Sequence, residues 1–173
     1  DVLIVVIAKM PGWLSNSNDA SAMQGTNWLV YNTHSPKNYS QWNSTVKAGV
    51  NYFKQFGKPV YYEVWNEPDF DIFWSEDTGS YLRFYNETVL AVKEADPSAK
   101  VGGSVVNGWN ATIDSSHGFA NIELINYAKA NNLPLDFVSW HYFNTDTQDI
   151  LTAKSAYLQS LRDNGYTYDP EFI

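Results

Sequence analysis

The sequence predicts an α/β fold in which parallel strands alternate with helices. Short apolar, β-branched runs recur at roughly forty-residue intervals, with amphipathic helical stretches between them. Polar and aromatic residues gather just after the runs, at their C-terminal ends, where parallel-strand enzymes place their chemistry. A chain of 173 residues suits one domain with a real core.

Val2 to Ala8 is a continuous apolar run, the pattern of a strand covered on both sides. It starts at the second residue, so the N-terminus is expected to continue something longer. Met10-Pro11-Gly12-Trp13 ends it and opens a polar loop running to Ser35, in which Trp13 either walls a binding site or anchors the loop. Ser40 to Phe56 reads as a helix with Trp42, Val46, Val50 and Phe53 on one stripe, stopped by Gly57. The aromatic, β-branched run 60–66 is the next strand, and Pro68 ends it because it lacks an N–H and bars helical geometry at Glu67. Strict alternation puts Glu63, Trp65 and Glu67 on one face.

Thr78 or Ser80 is expected to cap a helix reaching Ala95, with Leu82, Tyr85, Val89 and Val92 inward and Asp96-Pro97 as its stop. Lys100 to Val106 is a strand whose Gly102-Gly103 pair implies a bulge or close backbone approach. Asn107 and Trp109 follow at its end. A helix near 120–131, a strand over 135–143, a helix near 151–163 and a strand starting at Pro170 complete the pattern.

Composition narrows the function. A net charge of −8 and a pI near 4.7 argue against nucleic acid or an anionic membrane as partner. No apolar run reaches the roughly 18 residues that span a bilayer. Zero cysteines exclude disulfides, thiolate metal sites and a cysteine nucleophile, and leave the compartment open. There is no G-x-G-x-x-G after a strand, no Walker loop and no G-x-S-x-G elbow, so nucleotide and α/β-hydrolase chemistry are unsupported. Lone histidines at 34, 117 and 141 do not suggest a metal site, and no cofactor is expected. Seven Trp and twelve Tyr suit sugar stacking, but a core uses them equally.

Trp65-Asn66-Glu67-Pro68 closing a strand, followed by Phe73-Trp74, resembles the fourth strand of the retaining glycoside hydrolases of clan A, which are built on (β/α)8 barrels. The stretches EVWNEPDFDIFW, KVGGSVV and DFVSWHYF are most similar to glycoside hydrolase family 39, with families 5, 30 and 51 as neighbours. The resemblance implies a carbohydrate substrate, a β-linked poly- or oligosaccharide such as cellulose or xylan, and through polysaccharide degradation a secreted protein. Glu67 matches the acid/base, Asn66 the amide that bonds the sugar 2-hydroxyl, and His141 a histidine lining the subsite. Relatives place a tyrosine where Phe143 stands, so that hydroxyl role passes into doubt and Tyr142 is the adjacent candidate. Trp65, Trp74 and Trp109 are further candidates for subsite walls, with Trp13.

By the same resemblance the nucleophile is a Glu closing the seventh strand, a few residues past Ile173. Glu171 stands at that strand's start and is not a candidate. The four complete strands match the third to sixth of eight, and an eight-stranded barrel needs at least about 200 residues. Residues 1–173 are therefore expected to form one partial barrel, incomplete at both ends. Remaining barrel segments or a second copy would complete it, and the isolated chain is expected to lack hydrolysis. A buried Glu63 needs a partner, for which Lys9 is the nearest choice. Two other readings compete: a non-catalytic carbohydrate-binding or scaffold fragment, and an unrelated α/β domain whose Trp-Asn-Glu-Pro is coincidental.

Overall fold

The structure, a computed structural model, describes residues 2–17, 33–107, 121–141, 147–163 and 171–172. The elements in chain order are β1 (Leu3–Ile7), α1 (Tyr39–Lys54), β2 (Val60–Val64), α2 (Thr78–Ala95), β3 (Lys100–Gly102), β4 (Val106–Asn107), α3 (Asn121–Ala130), β5 (Phe137–Val138), β6 (Trp140–His141), α4 (Thr147–Asp163) and β7 (Glu171–Phe172). The described strands pair in parallel: β1 with β2 from Leu3↔Val60 to Ile7↔Val64, and β2 with β3 from Tyr61↔Lys100 to Glu63↔Gly102. Further along, β4 pairs β6 and β5 pairs β7. Neighbours in the three-stranded sheet follow chain order, as consecutive βαβ units require, while the β4–β6 and β5–β7 pairs each step over one short strand.

The expected strands 100–106 and 135–143 are each two short pieces. The first breaks at the glycine pair. A Cβ on Gly102 would lie 2.2 Å from the Phe137 carbonyl oxygen, and Gly103 adopts φ 110° with Val64 N 3.1 Å from the place a Cβ would take. The close approach expected from Gly102-Gly103 is thus real, and it lets the backbones of β3 and β5 meet.

Helices α1 and α2 cover one face of the sheet. Trp42, Val46 and Val50 from α1 meet Tyr81, Phe84, Tyr85, Val89 and Val92 from α2 over Tyr62, Val64 and Val101. Trp42 Nε1 donates to Thr88 Oγ1 at 2.8 Å, so the indole N–H buried between the helices is satisfied. Asn38 caps α1, accepting from Gln41 N at 3.0 Å, and Gly57 at φ 61° ends the turn that follows. The cap of α2 is Asp77, which accepts from Ser80 N at 2.7 Å, and not Thr78 or Ser80. A carboxylate placed ahead of the first turn suits the helix dipole better than either hydroxyl.

Strand β1 departs from expectation. Leu3, Ile4 and Val6 are exposed, because the described sheet runs β1-β2-β3 and β1 is its edge. No helix of the described residues is long and apolar enough to cross a membrane.

Candidate active site at the strand ends

Strand β2 stops at Val64, and the chain then bends sharply. Trp65 adopts φ 71° and Glu67 φ 44°, left-handed geometry that ends strand alternation. The bend separates two side chains expected on one face. Trp65 turns into the core against Trp74 and Phe84, with ring centroids 5.2 Å away in each case, and its Nε1 donates to the Phe73 carbonyl at 3.0 Å. Trp74 is packed beside it, edge-on to Tyr81. With Trp65 1% and Trp74 2% exposed, neither ring can stack on a sugar. Both are core residues rather than subsite walls.

Glu67 goes the other way. Its backbone N donates to Val105 O at 2.7 Å, and the Asn66↔Val105 bridge carries the ladder one step beyond β2. On the neighbouring strands, β4 ends at Asn107 and β6 at His141, and these two residues are in register. Both converge on one oxygen of Glu67. Asn107 Nδ2 donates to Oε1 at 3.0 Å, and His141 Nδ1 lies 2.5 Å from the same atom. The Glu67 carboxyl is almost fully buried, while the imidazole is about one-third exposed, so the site opens to solvent on the histidine side. At 2.5 Å this is a short contact between the imidazole and the carboxyl. Asn66 is half-buried at the same rim.

Glu63 lies beneath, on β2 itself. Burial pushes its carboxyl above the ordinary value of 4.5, and the Ser139 hydroxyl and His141 draw it part of the way back. Ser139 Oγ is itself buried with no hydrogen-bond partner, so it favours the carboxylate by proximity rather than through a well-formed bond. The expected partner is not there: no ion pair joins Glu63 to Lys9 among the described residues. Lys9 follows the end of β1 at φ 70°, past the register that sets Val6 opposite Glu63. Tyr81 lies close by with its hydroxyl donating to Val64 O at 3.0 Å, and burial holds that phenol far above the usual range.

Trp13 is exposed in the turn after β1, whose C-terminal end lies on the same side of the sheet as that of β2. Trp109 and Tyr142 lie outside the described residues. Glu171 is in register with Phe137, at the start of β5 and away from His141, as expected for a strand's beginning. The sequence puts Asn107 at a strand's end but gives it no role, and it does not single out Asp69. Asp69 is buried and accepts from Asn107 N through both oxygens, at 3.2 and 3.0 Å. The available signal for Asn107 was its place at a strand end in step with Glu67 and His141.

A family-wide sequence profile, Glycosyl hydrolases family 39, matches residues 10–165. The chain belongs to this family. Among its relatives, a beta-xylosidase of Caldicellulosiruptor saccharolyticus is 29% identical over 119 residues, covering 64% of this chain and 22% of that protein. A beta-xylosidase of Geobacillus stearothermophilus is 29% identical over 132 residues, covering 73% of this chain and 25% of that protein. The family 39 chain thus spans about a quarter of these curated relatives. The solved structure of a family 39 beta-xylosidase from Caulobacter crescentus superposes with a TM-score of 0.64 at 21% identity, over 97% of this chain and 34% of that one. That likeness shows the fold: the strands and helices are part of a (β/α)8 barrel. Family membership removes the reading of Trp-Asn-Glu-Pro as coincidence in an unrelated domain.

Proposed function

We propose that this chain supplies the acid/base half of a retaining glycoside hydrolase site, with Glu67 giving its proton to the leaving oxygen of a β-linked, xylan-type saccharide. The observation that carries this is the convergence of Asn107 and His141 on Glu67 Oε1, in a nearly buried carboxyl at a strand end. With both neighbours on Oε1, Oε2 is the oxygen from which a proton can pass to substrate. Two relatives are beta-xylosidases, which favours a xylose-containing substrate. A retaining reaction needs a second carboxylate about 5–5.5 Å from the acid, to attack the anomeric carbon. The first test of this reading is binding of the sugar, which does not depend on that second carboxylate.

Binding is read at His141. The chain has three histidines, so their ring signals are few and assignable by NMR. Xylobiose titrated into the chain should shift the His141 ring signals and leave those of His34 unchanged. If saturating xylobiose leaves His141 unmoved, the site does not hold that sugar.

A further inference from the structure

We propose that Asp69 is a positioning residue for Glu67 and acts on it through Asn107. The inference rests on the reading of Glu67 as proton donor. Asp69 is 4% exposed, and a carboxylate buried so fully needs donors. Both of its oxygens accept from a single backbone N–H, that of Asn107. Asn107 is the last residue of β4, a strand of only two residues whose ladder to β6 is correspondingly short. The segment after β2 holds this stretch at two alternate residues: Glu67 N donates to the O of Val105, just before β4, and Asp69 receives Asn107 N. Gripped in this way, Asn107 directs Nδ2 to Glu67 Oε1 at 3.0 Å. The bonds close a ring from Glu67 through Pro68 and Asp69 to Asn107 and back.

The chemistry gives this ring a purpose. In a retaining reaction the acid first loses its proton and then regains one from water. A carboxamide N–H neither takes up nor gives away a proton across that cycle, so it can hold Oε1 in both states while Oε2 exchanges the proton. Its value depends on staying within hydrogen-bond reach, and positional errors of about 1 Å are costly in such sites. A negative charge on the Asn107 N–H is a strong way to fix it.

The experiment follows the Asn107 side-chain amide by 15N NMR in the 173-residue chain. In the parent, one of its protons should move as falling pH protonates Glu67, and Glu67→Gln should abolish the movement. Asp69→Ala should lose it in a chain that stays folded, while Asp69→Asn should keep it, because its carbonyl oxygen still accepts the Asn107 N–H. If Asp69→Ala does not fold, Asp69→Ser is read in its place, its hydroxyl being too short to make the bond. A folded Ala or Ser variant whose Asn107 amide still follows Glu67 overturns the proposal. These signals do not depend on turnover, so this proposal can fail while Glu67 remains the acid, whereas failure of Glu67 as the acid is read from turnover alone.

Discussion

Two carboxylates four residues apart on one strand segment have different surroundings. Glu67 is met by an amide and an imidazole, whereas Glu63, on β2 itself, lies near a hydroxyl that makes no bond. Because burial is the largest influence on Glu63, its folded form holds a proton more tightly than its unfolded form. That preference stabilises the fold fully below the unfolded value of 4.5 and is lost as pH rises through the higher folded value. Glu63→Gln should therefore melt above the parent at pH 8, with the gap closing toward pH 4. An equal gap at both values would show that the charge on Glu63 is not what costs stability. Glu67 could be read from the sequence because a strand stopped by proline leaves little choice about where the preceding side chain goes. Trp65 was misread for a related reason: alternation assumes extended backbone, and φ 71° at that residue reverses the side chain.

At the level of elements, the helices were legible. Trp42, Val46 and Val50 are buried as their spacing required, and Tyr85, Val89 and Val92 likewise. Strand interruptions were less so, since periodicity cannot tell one strand of seven residues from two of three and two. The glycine pair gave the only hint, and the structure gives it a partner. Replacing Gly102 by alanine would set a methyl 2.2 Å from a backbone oxygen, which cannot rotate away as a side chain could. Overpacking of this kind costs about 1–3 kcal/mol, and a backbone clash belongs at the upper end. Gly102→Ala should accordingly lower the denaturant midpoint with little change in slope. A midpoint equal to the parent's would mean that β3 and β5 do not approach so closely. Asn107 and Asp69 escaped the sequence reading because their roles depend on register across three strands, which local patterns do not encode.

At the level of the whole molecule, the described strands pair in parallel, and Glu67, Asn107 and His141 meet where β2, β4 and β6 end. The family and fold were legible because one motif and two later strands agree in order and spacing; the sugar was not, because subsite loops decide it. The central claim is that Glu67 protonates a departing oxygen, and a direct test uses azide, which can act in the place of a carboxylate nucleophile. Azide would attack the anomeric carbon of an aryl β-xyloside, the C–O bond would break, and the leaving oxygen would take the Glu67 proton. The measurement is aryl alcohol release with azide, for the parent and for Glu67→Gln, on a phenyl and on a dinitrophenyl xyloside. Glu67→Gln should slow phenol release by about 100- to 10,000-fold, the usual worth of general acid catalysis, and hardly affect dinitrophenol, which departs without a proton. Phenol release that is absent from the parent, or undiminished in the variant, would contradict the account.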